Sequence, residues 1–288
     1  MKPVDWLAQR ENHVAFEDVA IPVDGGPDVC IRRYEPRSAD SGTGSPLLWV
    51  HGGAFIGGGL DQHESHAVAL AIAASGRSVF TVAYRLAPAI NWIKPLTERD
   101  LGPGDRYPAA LDDVSAALNW ITDRAPAVAI GGASAGAALA AAATLRNRDR
   151  GGIRPEALVL AYGTFHSALP EISSALRRRI RGRHGITQFR PSTVDKMNLN
   201  YAGAGAALDD PQAFPGGGNL LDFPRTLLLD ADRDSLRSSG EKFHAELKTA
   251  KVDVTYRVIH GTRHGFFDRP GSAQFDEGIA TVLAWLDL

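Results

Sequence analysis

Gly131-Gly132-Ala133-Ser134-Ala135-Gly136 stands between the apolar run Ala127-Val128-Ala129-Ile130 and the alanine-rich segment Ala137 to Leu145. Together the three pieces read as a buried strand, a very tight turn and a helix. Gly132 and Gly136 flank Ser134 in the pattern G-x-S-x-G. A serine at the tip of such a turn occupies a strained backbone conformation, and its neighbours two residues away have to be small. The turn lifts the hydroxyl above the sheet edge. It also points the Ala135 N–H, at a helix N-terminus, toward whatever binds there. An ordinary Gly/Ala/Ser turn could carry the same pentapeptide, so the partners of Ser134 decide its meaning.

Working outward, Leu47-Leu48-Trp49-Val50 reads as a buried strand running straight into His51-Gly52-Gly53-Ala54-Phe55. Helical spacing follows from about His63 to Ala74, a strand within Ser78 to Arg85, and a helix within Tyr107 to Ile121. Ala157 to Tyr162, Thr226 to Asp230 and Val254 to Ile259 are short apolar strands, with helices at Ser238–Ala250 and Ser272–Leu286. Phe16 to Val23 and Val29 to Tyr34, separated by the turn signal Asp24-Gly25-Gly26-Pro27, predict a leading hairpin. This alternation predicts an α/β fold with a mostly parallel central sheet, right-handed crossovers and a ligand site at the carboxyl ends of the strands.

Residues 164–222 interrupt the alternation. They carry weak periodicity, an arginine run (Arg177, Arg178, Arg179, Arg181, Arg183) and the Gly/Pro-rich stretch Phe214 to Asn219. A long insertion after a strand end predicts a helical cap, with the short amphipathic segment 1–15 contributing. The arginine run reads as a solvated helix face, with attraction of an anionic substrate or partner as the sharper alternative. The chain, 1–288, is expected to be one domain bearing that cap.

With 288 residues, 44% apolar and 22% charged, the chain has ample material for a core. A formal net charge of -2 argues against nucleic acid or a membrane surface held by general electrostatics. Cys30 is the only cysteine, so no intrachain disulfide can form. The N-terminus lacks an apolar h-region and reads as cytoplasmic. No apolar run approaches the length that crosses a bilayer. Homo-oligomer formation is left open.

A serine hydroxyl is a poor nucleophile until a base accepts its proton. Two later strand ends offer the missing groups. Leu227-Leu228-Leu229 leads into Asp230-Ala231-Asp232-Arg233-Asp234-Ser235-Leu236, and the strand ending at Ile259 leads into His260-Gly261-Thr262-Arg263-His264-Gly265-Phe266-Phe267. Ser, Asp, His is the chain order of a serine hydrolase on this kind of sheet. Asp230, Asp232 and Asp234 compete for the carboxylate, and His260 competes with His264 for the base. His51-Gly52-Gly53-Ala54 follows an early strand, where backbone donors of an oxyanion hole belong, and removal of one such donor costs about 3–4 kcal/mol. Its plainer reading is a strand-end turn with His51 supporting the loop. Asp61, His63, Glu64 and His66 suggest a metal cluster, but a polar helix start explains them better, and no metal site is expected.

The chain resembles an α/β-hydrolase of the hormone-sensitive-lipase-like (bacterial family IV) carboxylesterases. Six ordered words carry the likeness: His51-Gly52-Gly53-Ala54-Phe55, Tyr84-Arg85-Leu86-Ala87-Pro88, Tyr107-Pro108-Ala109-Ala110-Leu111-Asp112-Asp113, Gly132-Ala133-Ser134-Ala135-Gly136, Asp234-Ser235-Leu236-Arg237 and His264-Gly265-Phe266. The resemblance implies Ser134 as nucleophile, His264 as base and Asp234 as orienting carboxylate, with Asp232 the runner-up. It implies an oxyanion hole at Gly52, Gly53, Ala54 and Ala135, and an acyl-enzyme mechanism without metal or organic cofactor. The substrate is then a small acyl ester, expected to be short-chain, with Phe55, Trp92 and Phe266 as pocket-lining candidates. Three departures stand out. Ala54 occupies the place of a third glycine, where the donor survives if φ is negative. Ala133 and Ala137 replace an acidic residue and a glycine. Residues 89–106 are an insertion whose Trp92, Ile93, Pro95 and Leu96 could wall the pocket. Amides, lactones and polyester fragments use the same triad and stay open as substrates. A non-catalytic receptor, as in the related plant gibberellin receptors, is disfavoured because His264 is present.

Overall fold

The computed structural model describes residues 3–23, 26–37, 44–94 and 96–287. The turn positions Asp24 and Gly25, loop residues 38–43 and Pro95 lie outside the described residues. The strands are β1 (Val14–Ile21), β2 (Val29–Pro36), β3 (Leu47–Val50), β4 (Val79–Val82), β5 (Ala129–Ala133), β6 (Ala157–Ala161), β7 (Arg225–Ala231) and β8 (Val254–Ile259). They form one sheet in the order β1-β2-β4-β3-β5-β6-β7-β8. β1 and β2 pair antiparallel along the expected hairpin and β2 joins β4 antiparallel; from β4 to β8 all pairing is parallel.

The helices are α1 (Pro3–Glu11), α2 (His63–Ala73), α3 (Ala109–Thr122), α4 (Ala135–Asp149), α5 (Ser174–Arg179), α6 (Pro191–Ala202), α7 (Arg237–Thr249) and α8 (Ala273–Leu286). The central strands are apolar at nearly every position, yet side chains still alternate between two cores. Leu48, Val50, Ile130, Leu158, Leu160 and Leu228 face α3, α4 and α7, while Leu47, Trp49, Val159, Leu227 and Leu229 face α1, α2 and α8. A one-residue slip in any of these strands would exchange the two sets.

The 164–222 segment sits between β6 and β7 and contains α5, α6 and two 3-10 turns. Val194, Met197 and Tyr201 of α6 join the core of α3 and α4. Helix α1 does not join them. Trp6 is buried edge-on against Phe275 of α8, with ring centroids 5.0 Å apart, so among the described residues α1 packs with α2 and α8 and not, as expected, with the 164–222 segment. The apolar stripe of α1 is satisfied by α2 and α8 on the other face of the sheet.

Three of the sequence words brace one another. Asp113, fully buried on α3, accepts from the Arg85 backbone N–H at 2.7 Å and from its guanidinium at 2.8 and 3.0 Å. Ala87 N–H donates to Phe55 O at 2.8 Å. The loop after β3 is therefore anchored on the loop after β4, and that loop on α3.

Candidate active site

β5 ends at Ala133 and α4 begins at Ala135, so Ser134 alone makes the turn, with φ 54 and ψ -119. Such a backbone costs a serine about 1–3 kcal/mol. The flanking glycines explain how it is held. A Cβ on Gly132 would lie 2.5 Å from the Gly136 backbone, and one on Gly136 would lie 2.1 Å from Val50 O. Neither obstacle is a side chain that can swing away. Gly136→Ala is therefore expected to destabilise the protein by about 3 kcal/mol or more, read as a fall in melting temperature; an unchanged melt would show that the turn relaxes freely.

The turn delivers Ser134 Oγ to 2.9 Å from His264 Nε2, and His264 Nδ1 lies 2.6 Å from Asp234 Oδ2. Because a carboxylate only accepts, Nδ1 carries the proton and Nε2 is left to accept from the serine hydroxyl. Burial pulls the His264 pKa down, but the charge and hydrogen bond of Asp234, with the charges of Glu64 and Asp268, outweigh it and leave it raised. The second oxygen of Asp234 accepts from Leu236 N–H at 3.0 Å.

The rival carboxylates have other work. Asp232 pairs with Arg179 of α5, at 2.8 Å through Nε and again through a terminal nitrogen, and accepts from Gly261 N–H at 3.0 Å. It ties the acid loop to the histidine loop and to the 164–222 segment. Asp230 is buried, facing Tyr256 and Arg237 rather than His264, and its pKa is pushed up to about 8, first by burial and further by Asp234, against the opposing pull of Tyr256 and Arg237. His260 is exposed at the end of β8.

Residues after α5 clamp the acid loop on both sides of Asp234. Gln188 accepts from Ser235 N–H at 2.7 Å and donates to Arg233 O at 3.1 Å, and Ser235 Oγ donates to Phe189 O at 2.9 Å. The Phe189 and Tyr162 rings meet His264 edge-on, at 4.9 and 5.1 Å. None of Gln188, Phe189 and Tyr162 was singled out from the sequence. Tyr162, at the carboxyl end of β6, was the one with a positional signal.

At the early loop, Ala54 has φ 56 and Phe55 φ 63, so the negative φ set as the condition for an Ala54 donor is not met; the positive φ strains the alanine but leaves its N–H in place. The loop winds left-handed there because Ile56 and Gly57 N–H both return to Gly53 O at 3.0 Å. This conformation costs alanine about 1–2 kcal/mol, which accounts physically for a glycine being the easier residue. Gly52 N–H is already donated to Glu64 Oε2 at 2.8 Å. That removes Gly52 as an oxyanion donor. Among the described residues no hydrogen bond takes up the N–H of Gly53, Ala54 or Ala135. His51 stacks on Tyr84 at 4.3 Å and its Nδ1 donates to Gly52 O at 2.7 Å. Burial lowers its pKa to about 4 and keeps it neutral.

The aromatic candidates are placed differently from expectation. Phe55 is fully buried and stacked on Tyr201 at 4.0 Å. Phe266 is buried against Tyr162 at 4.8 Å. Packing consumes both rings. Trp92 is half exposed in a groove of about 400 Å³ with Ile93, Leu96 and Leu199, whose lining includes neither Ser134 nor His264. The imagined metal cluster is dispersed. Asp61 pairs with Arg32 at 2.6 Å, His66 bonds Tyr34 at 2.9 Å, His63 reaches Asp268 O at 3.2 Å, and Glu64 points inward.

The sequence pattern of the alpha/beta hydrolase fold family matches residues 47–96 and 99–268. The chain belongs to that family, in its hormone-sensitive-lipase-like branch of carboxylesterases. It is 30% identical over 283 residues to the ethyl acetate hydrolase of Pseudomonas putida, covering 93% of this chain and 81% of that protein. The esterase LipI of Mycobacterium tuberculosis is 28% identical over 276 residues, covering 92% and 79%. The solved esterase of Pyrobaculum calidifontis superimposes with a TM-score of 0.79 at 27% identity, over 98% of this chain and 88% of that one. Among the described residues no helix is long and apolar enough to cross a membrane.

Proposed function

We propose that this carboxylesterase hydrolyses short-chain acyl esters through an acyl-enzyme intermediate on Ser134. One observation carries the reading: an unbroken hydrogen-bond chain from Ser134 Oγ through His264 to Asp234, with steps of 2.9 and 2.6 Å. His264 Nε2 takes the hydroxyl proton as Oγ attacks the ester carbonyl. The N–H groups of Gly53, Ala54 and Ala135 hold the oxyanion, and Asp234 stabilises the imidazolium. His264 then protonates the leaving alcohol. Water, deprotonated by the same nitrogen, attacks the acyl carbon and releases the acid. Residues 164–222 act as the cap, anchored through Gln188, Phe189 and Arg179.

The preference for short acyl groups is supported by the rings that fill the region beside the oxyanion loop, Phe55 on Tyr201 and Tyr201 against Phe214 at 5.8 Å. It also agrees with the small substrate named for the Pseudomonas relative. A panel of nitrophenyl esters is expected to peak between acetyl and butyryl; a maximum at long chains would refute the preference. Catalysis requires neutral His264, whose pKa is raised. Activity is therefore present above that pKa and lost as pH falls through it. The acid limb of kcat/KM should lie above the ordinary histidine value of about 6.5. A rate flat from pH about 5 to 8 would remove His264 as the base.

A further inference from the structure

We propose that Glu64 is a positioning residue of the hydrolytic site, one buried carboxylate that sets both the oxyanion loop and the surroundings of the base. The proposal rests on the serine-esterase reading above. Glu64 lies in the first turn of α2 and is 2% exposed. Its Oε2 accepts from Gly52 N–H at 2.8 Å, one residue before the proposed oxyanion donors. The contact is so close that a Cβ on Gly52 would lie 2.3 Å from the same oxygen. Its Oε1 accepts from the Tyr162 hydroxyl at 2.6 Å. Tyr162 is itself constrained, with φ 37, and its ring packs edge-on against His264. The main chain of Glu64 is committed too. Its N–H donates to Asp268 Oδ1 at 3.0 Å, in the turn just after His264, and its carbonyl accepts from Trp49 Nε1 at 2.8 Å, on the strand before the oxyanion loop.

Burying a carboxyl group is costly unless both oxygens are used. Here they are used on opposite sides, by the loop after β3 and by the residue after β6. No other residue type of this length accepts from both. A glutamine presents one acceptor oxygen, so one of the two donors would face an NH2 group. The titratable groups facing Glu64 are Tyr162, Asp268, His264 and Tyr84. Burial, then Asp268, push its pKa up to about 7, against the opposing pull of Tyr162, His264 and the Gly52 N–H. Its charge in turn helps raise that of His264.

The test compares wild type, Glu64→Gln, Glu64→Asp and Tyr162→Phe on a short-chain nitrophenyl ester, with melting curves and fluorophosphonate labelling of Ser134. Glu64→Gln is expected to lower kcat about 10- to 100-fold with KM within about threefold, because loop orientation matters most at the transition state. Its acid limb should move to lower pH and flatten to a single ionisation, since a charge facing His264 and titrating in the same range is gone. Glu64→Asp, which keeps two acceptor oxygens, should recover part of kcat. Tyr162→Phe should lower kcat by about three- to tenfold without moving the limb downward. Wild-type kcat and an unmoved limb in Glu64→Gln would overturn the assignment. If Glu64→Gln does not fold, Tyr162→Phe decides: a kcat loss at constant KM supports the assignment and wild-type kinetics overturn it. A wild type that neither hydrolyses esters nor takes the probe overturns the esterase reading itself, and the role of Glu64 with it.

Discussion

Ser134→Ala is expected to fold normally and to lose turnover by a factor on the order of 10⁵ or more. The two halves of that statement have separate physical grounds. Alanine keeps the Cβ that already fits at φ 54, so the turn is no more strained than before. Among the described residues the oxygen removed bonds one partner, His264, at a residue only 8% exposed. Deleting both partners of a hydrogen bond costs little, but here only one goes and His264 Nε2 loses its donor, so a small fall in melting temperature is expected. Chemically the loss is complete. Without Oγ no acyl-enzyme forms, and what remains is the modest catalysis that an oxyanion hole and substrate binding give a water molecule. A variant with unchanged hydrolysis would eliminate the nucleophile and the mechanism together.

Asp234→Asn should reduce kcat by about 10⁴ at neutral pH while leaving the fold in place. The amide can present its NH2 to His264 Nδ1, which forces the proton onto Nε2. The nitrogen 2.9 Å from Ser134 Oγ then becomes a donor and can no longer take the hydroxyl proton. Asp232→Asn provides the contrast. It weakens the pairing with Arg179 and the acceptor for Gly261 N–H, contacts that hold loops together rather than act on the imidazole. A loss of activity within about tenfold is expected there, with only a slight fall in melting temperature, since Arg179 is substantially exposed. Should the two variants exchange their effects, the orienting role would move to Asp232.

The consequences of the strained turn extend to both neighbouring loops. Val50 O and His51 O would both meet a Cβ placed on Gly136. The turn at Ser134 thus packs directly on the root of the loop proposed to hold the oxyanion. Glu64 and Tyr162 complete a ring of contacts from that loop back to His264. Rigid support of this kind holds donors where charge develops.

Much was legible in the residues alone because the informative patterns are local. Continuous apolar runs located β3, β5, β6 and β7, since strands buried on both faces need no polar alternation. The small residues around Ser134 announced the turn, because only they permit the close backbone approach found at Gly132 and Gly136. The Ser–Asp–His order and the His-Gly-Gly word located the groups at the strand ends. The destination of each polar group depends instead on what stands opposite it across the sheet, and that is information no local window contains. Asp230, Asp232 and Asp234 look alike in sequence, yet one is buried beside Tyr256, one pairs with an arginine of the 164–222 segment, and one meets His264. Glu64 reads as part of a polar helix start and turns inward, the N–H of Gly52 is spent on it, and Phe55 and Phe266 fill cores. Chain order is written in short-range periodicity and sterics; the pairing of groups far apart along the chain is settled only when the two cores close around the sheet.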